Sequence, residues 1–230
     1  MLLSRDPSRP SQCQRWPPLE PAVPPPRYLW LTLLALAIAL GIAPVNRSDW
    51  LIENVVVAGT LAGMLGFRRH LNLSLASWWM LAIFLLIHET GAHYTYSRVP
   101  YDAAWQALTG ERLNELLGWR RNNFDRFVHL GYGLLLQRPL RELLMRNLRL
   151  GWTAAALLAL SLILATSAIY EMAEWIGGEF LGGDQSAAFV AAQNDKWDAQ
   201  KDMALAMLGA LLIITGEAFQ AWLHGAKPQA

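Results

Sequence analysis

Between residues 150 and 170 the chain has no charged side chain, and between 203 and 222 it has one, Glu217. A helix needs roughly 20 such residues to cross the hydrocarbon core of a bilayer. Segments of this kind must satisfy their backbone polar groups internally, which leaves a helical bundle in lipid as the architecture they favour. Further apolar runs occupy 28–44, 50–67, 73–87 and 124–137, the last being short for a full crossing. The expected fold is therefore all-α: a polytopic membrane bundle of about six transmembrane helices, with spans near 28–44, 50–67, 73–87, 124–137, 152–175 and 203–222.

Composition supports lipid as the solvent. Apolar residues make up 54% of the 230, charged residues 16%, and there are 11 Trp, which is too apolar for an ordinary soluble domain. A formal net charge of +1 and the lack of any helix-turn-helix, zinc-finger or RNA-binding signature exclude nucleic acid as a partner. The single Cys13 can form no internal disulfide and supplies no thiolate metal cluster. Residues 1–27, rich in Pro and Arg, read as a disordered tail, residues 28–223 as the six-span domain, and 224–230 as a short C-terminal tail. With no clear cleavage site after it, the first run reads as a retained helix rather than a signal peptide.

Orientation follows from Lys and Arg near span ends, which favour the cytoplasm. The Arg-rich tail, Arg68, Arg69, Arg138, Arg141, Arg146 and Arg149 fall on one side of a six-span arrangement. Both termini are thus expected in the cytoplasm, with 45–49, 90–123 and 176–200 on the opposite side. That topology brings His88, Glu89, His93, Asp125, His129, Glu171, Glu174, Asp195, Asp198 and Asp202 to the non-cytoplasmic ends of their spans.

The spacings within this set carry chemistry. Asp125 and His129 are four apart, Glu171 and Glu174 three apart, and Asp195, Asp198 and Asp202 recur at three and four, so each group lies on one helical face. Helical bundles build carboxylate and imidazole metal sites from such pairs projecting inward. Imidazole and carboxylate without thiolate suit zinc, manganese or iron, or magnesium where carboxylates dominate. The expected metal ligands are His88, Asp125, His129, Glu171 and Glu174. Asp198 or Asp202 would be a ligand or general base, and Arg126 or Arg121 would hold an anionic substrate group, with Tyr94 and Trp197 as candidate substrate contacts. Each residue also has a plainer reading. Singly, His88 or Glu171 reads as an interfacial polar residue, Trp175, Trp197, Tyr94 and Tyr96 as interfacial aromatic anchors, and Arg98, Arg121 and Arg126 as ion-pair partners that neutralise the carboxylates. His88-Glu89 followed by His93 departs from the zincin pattern, because two His five apart do not align on a helix, and Gly91 is expected to end or bend the helix there.

The order of the polar motifs resembles the bacterial inner-membrane protein family that includes YjdF, defined by a domain of unknown function. The resemblance rests on His88-Glu89 with Tyr94 and Tyr96, on Asn123-Phe124-Asp125-Arg126 with His129 and Gly133, and on Arg138-Pro139 with Arg141-Glu142. It continues through Glu171 and Glu174-Trp175 to Asp195, Trp197-Asp198, Gln200 and Asp202-Met203. It covers roughly residues 28–223 and implies a multi-spanning inner-membrane protein without supplying a reaction.

The function expected from these readings is a metal-dependent membrane enzyme acting on a lipid headgroup or envelope ester at the non-cytoplasmic face. The alternatives are a small-solute or ion transporter, which the apolar middles of most spans disfavour, and a structural membrane protein with ion-paired helix ends.

Overall fold

The computed structural model describes residues 19–180 and 195–224, so the stretches 1–18, 181–194 and 225–230 lie outside it. The glycines Gly182 and Gly183 of the expected acidic connection, Asn194 and most of the Pro/Arg-rich tail with Cys13 fall in those stretches.

Among the described residues the fold is helical, with one isolated antiparallel bridge between Val23 and Leu73. The helices are α1 (Arg27–Gly41), α2 (Arg47–Gly66), α3 (Leu75–His93), α4 (Tyr101–Thr109), α5 (Leu113–Leu116), α6 (Phe124–Leu148), α7 (Trp152–Phe180) and α8 (Asp198–Leu223), with a 3-10 turn at Arg68–His70 after α2. Local chemistry sets several starts. The Asn46 side chain accepts from the backbone N–H groups of Ser48 and Asp49, and Ser74 accepts from that of Ser77, satisfying donors that a helix leaves unpaired at its first turn.

Three helices are long and apolar enough to cross a membrane: Leu75–His93, Trp152–Gly177 and Asp198–Leu223. The helix α1 is apolar but shorter. At 20 residues α2 is long enough, yet it carries Arg47, Asp49 and Glu53 at its start. The helix α6 carries charge at both ends, with Asp125 and Arg126 at one and Arg138, Arg141, Glu142 and Arg146 at the other. Large apolar side chains on α1, α2 and α7, among them Leu31, Val55 and Leu157, are exposed, as expected of surfaces that lipid covers.

The helix α6 is the centre of the bundle and runs unbroken from Phe124 to Leu148 through Pro139, so the short apolar run at 124–137 and the basic stretch after it are one helix. Pro139 donates no backbone hydrogen bond, but the helix is held from outside. Buried Gln137 donates through Nε2 to the Ala156 carbonyl of α7 at 3.0 Å, and Arg141 pairs with Glu217 of α8 while lying over the Trp152 ring. Glu142, 2% exposed, accepts from the Ser74 backbone N–H at 3.0 Å, from Ser77 Oγ at 2.6 Å and from Arg146 at 2.6 Å. These contacts give the packing directions: α8 lies parallel to α6, while α3 and α7 lie antiparallel to it.

The closest approach is glycine on glycine. A Cβ at Gly133 would stand 2.0 Å from the Ala206 carbonyl oxygen, and one at Gly209 would stand 2.3 Å from that of Leu130. Only bare backbones let α6 and α8 meet this closely. Residues 19–26, the described part of the expected tail, lie against the bundle: Val23 pairs with Leu73, Trp78 Nε1 donates to the Val23 carbonyl at 3.0 Å, and Arg138 meets Glu20 at 2.7 Å.

Candidate functional site

The antiparallel arrangement brings the start of α6, the start of α8 and the ends of α3 and α7 to one end of the bundle. The connection 94–123, which reads in sequence as part of a polar stretch with an amphipathic piece near Leu113, Leu116 and Leu117, is folded over that end by its own hydrogen bonds. Tyr101 donates to Asn114 Oδ1 at 2.7 Å, Asn114 and Asn123 both donate through Nδ2 to the Arg121 carbonyl at 3.2 Å, and Asn122 donates to the Val99 carbonyl at 2.9 Å. The Asn122 side chain also accepts from the Phe124 backbone N–H at 3.0 Å and so starts α6. This lattice sets Arg121 above the helix ends.

Beneath it lies a cavity of about 460 Å³ between α2, α3, α6, α7 and α8. Most of its wall is apolar, including Val57, Leu81, Phe84, Val128 and Ile169, and its polar end is formed by His88, Asp125, His129, Glu174, Asp198 and Asp202. Glu171 adjoins that end, with Oε1 3.1 Å from His129 Nε2. All five expected metal ligands, together with both aspartates of α8, thus converge around one space.

The carboxylates there fall into two sets. At the rim, Arg121 bonds Asp125 Oδ2 at 2.9 Å and Asp198 Oδ1 at 2.6 Å, and Arg126 reaches Asp195 at 2.6 Å and Asp198 Oδ1 at 3.4 Å. Asp195, ahead of α8, is held well below the usual carboxylate range by a hydrogen bond from Lys201, by the Trp197 backbone N–H and by Arg126. Deeper in, Glu171, Glu174 and Asp202 have no Lys or Arg within ion-pair distance among the described residues. Asp202 is 3% exposed and its Oδ1 has no hydrogen-bond partner. The ion-paired reading therefore describes the rim and not the interior.

Two groups of side chains have ligand atoms that all lie within 4.8 Å of one another: His129, Glu171 and Asp202, and separately Asp125, Asp198 and Asp202. Imidazole and carboxylate at that separation suit a zinc, manganese or magnesium ion. His88 and Glu174 line the same cavity but belong to neither group. His88 Nδ1 is 2.7 Å from the Tyr96 hydroxyl.

Tyr96 differs from the interfacial reading: it is 8% exposed and turned inward. Thr95 and Tyr96 both have positive φ, 56° and 50°, and the Tyr96 N–H bonds the Gly91 carbonyl at 2.7 Å. Gly91 does not end α3, which continues to His93; its missing side chain makes room for the Tyr96 ring, whose nearest atom is 2.6 Å from where a Cβ would be. Tyr94 instead meets the His93 ring, and Trp197 is exposed beneath Lys196, so neither lines the cavity. Glu53 is buried and accepts from the Tyr170 hydroxyl at 3.0 and 3.2 Å. In the sequence Glu53 interrupts the apolar run 50–67, and no spacing links it to Tyr170.

Comparison with known proteins adds a family. The model of the predicted membrane protein family DUF2238 matches residues 25–221. The chain is 32% identical over 185 residues to the inner membrane protein YjdF of Escherichia coli (strain K12), covering 80% of this chain and 84% of that protein. No solved structure matches.

Proposed function

The chain belongs to the DUF2238 family of predicted membrane proteins, and on that premise we propose that it is a multi-pass inner-membrane enzyme that uses a divalent cation to hydrolyse a lipid headgroup or envelope ester. In this reading α1, α2 and α6 also span the bilayer, giving six spans with both termini cytoplasmic and the acidic cavity end toward the other side.

The observation that carries the reading is Asp202, whose buried Oδ1 lacks a partner beside His129 and Glu171. A buried carboxylate oxygen without a hydrogen-bond partner is costly, and a cation shared with His129 and Glu171 offsets that cost. The cation, zinc, manganese or magnesium, would polarise the ester and lower the pKa of a bound water. Oxygen from that water would form the new bond to phosphorus or acyl carbon, the bond to the leaving alcohol oxygen would break, and the water's proton would end on the alcohol. Asp198 suits a ligand or the base that carries the proton, and Arg121 and Arg126 suit the binding of an anionic group at the rim. The apolar wall suits an acyl chain, which supports a lipid over a water-soluble ester.

The test is hydrolysis of mixed phospholipid and detergent micelles by the purified protein with added Mn²⁺. Metal-dependent release of a headgroup or fatty acid, abolished by EDTA and by Asp202→Asn, is the expected result. A folded protein that binds Mn²⁺ and turns over none of these lipids would contradict the enzyme reading.

A further inference from the structure

We propose that the acidic end of the cavity holds two divalent cations bridged by the carboxylate of Asp202, an inference that rests on the single-cation reading above and extends it. The two ligand groups have Asp202 in common and otherwise use different residues. Their arrangement follows from helix geometry. The helix α6 offers Asp125 to one group and His129 to the other, and α8 offers Asp198 to one and Asp202 to both. Positions four apart are separated by about 6 Å along a helix axis, so the two helices present their ligands in two layers one turn apart. Glu171 from α7 completes the layer of His129. Paired metals in hydrolytic sites stand roughly 3.5–4 Å apart, a spacing that a carboxylate reaching from one layer toward the other can bridge.

Asp202 suits the bridging role. It is 3% exposed, it lines the cavity, and its Oδ1 has no hydrogen-bond partner. An ionised carboxylate offers about four lone-pair sites on its two oxygens, enough for two cations. The arginines leave room for the second ion. Arg121 and Arg126 both address Asp198 through Oδ1, while Asp125 takes Arg121 on Oδ2 and the Arg126 backbone N–H on Oδ1. Such contacts orient a ligand from outside the coordination sphere without using all its lone pairs.

The test is Mn²⁺ binding to the full-length protein in detergent, read by equilibrium dialysis and by electron paramagnetic resonance on the same samples. Two Mn²⁺ per chain, with the spectrum of an exchange-coupled pair, is the expected result. One Mn²⁺ per chain with the spectrum of an isolated ion would overturn the bridged pair and leave the single-cation reading intact, and no bound Mn²⁺ would overturn both. Asp198→Asn should keep one ion and convert the coupled spectrum to the isolated one, whereas Asp202→Asn should lose both. The unsubstituted protein decides the question by itself if either variant fails to fold.

Discussion

Asp195 and Asp202 belong to one acidic run and meet opposite environments. Asp195 lies at the rim with Lys201 and Arg126 on it, and its depressed pKa means that these contacts stabilise the fold above the ordinary carboxylate range and fade only as the pH falls below it. Asp195→Asn should therefore lower the thermal midpoint slightly at neutral pH, the difference from the parent vanishing in strong acid, and should leave Mn²⁺ binding unchanged. Loss of Mn²⁺ binding in this variant would contradict the division between rim and interior. Gly91→Ala places a methyl group against the Tyr96 ring and should displace the hydroxyl from His88, an outcome that tyrosine fluorescence or a structure of the variant checks. The pairs Asp125 with His129 and Asp198 with Asp202 were legible in the sequence because helical spacing alone puts them on one face. Which carboxylates the arginines would take was not, since Arg121 is set by hydrogen bonds from Asn114 and Asn123 that no periodicity encodes. Tyr96 escaped for a similar reason, its direction being fixed by two residues with positive φ.

At the scale of elements, α6 determines how the others meet. Gly133→Ala would drive a methyl group into the Ala206 carbonyl, and overpacking of this kind costs on the order of 1–3 kcal/mol. Its thermal midpoint in detergent should fall clearly, whereas Gly63→Ala, with open space at the Cβ position, should melt like the parent. Equal midpoints for the two variants would contradict the close crossing of α6 and α8. Glu142→Ala removes the acceptor for Ser74, Ser77 and Arg146, and buried donors left unpaired cost about 1–3 kcal/mol each. Destabilisation at least as large as that of Gly133→Ala is expected from the same melting experiment. The apolar run ends near Gln137, where Arg138, Arg141 and Glu142 follow, and the helical spacing of Leu140, Leu143, Leu144 and Leu148 leaves the next stretch open as an interfacial helix or an extension of the span. The structure makes it one helix. It continues because those charges find Glu20, Glu217 and the serines of the α3 start, partners far away in sequence.

For the whole molecule, the all-helical membrane fold was legible from the apolar runs, and family membership agrees with it. The number of spans was less so, because α2 and α6 bury polar side chains against other helices and so lack the apolar signature of a helix surrounded by lipid. The six-span proposal predicts that, in a Cys13→Ser background, Thr109→Cys reacts with an impermeant maleimide applied to intact cells and Arg69→Cys reacts only after lysis. The reverse pattern, or labelling of both from outside, would contradict that topology. The central claim is that a cation sits among His129, Glu171 and Asp202, and its most direct test is anomalous diffraction from crystals grown with Mn²⁺. A peak bounded by those three side chains is predicted; a map without one there, or with an arginine or lysine side chain reaching into that space, would contradict it.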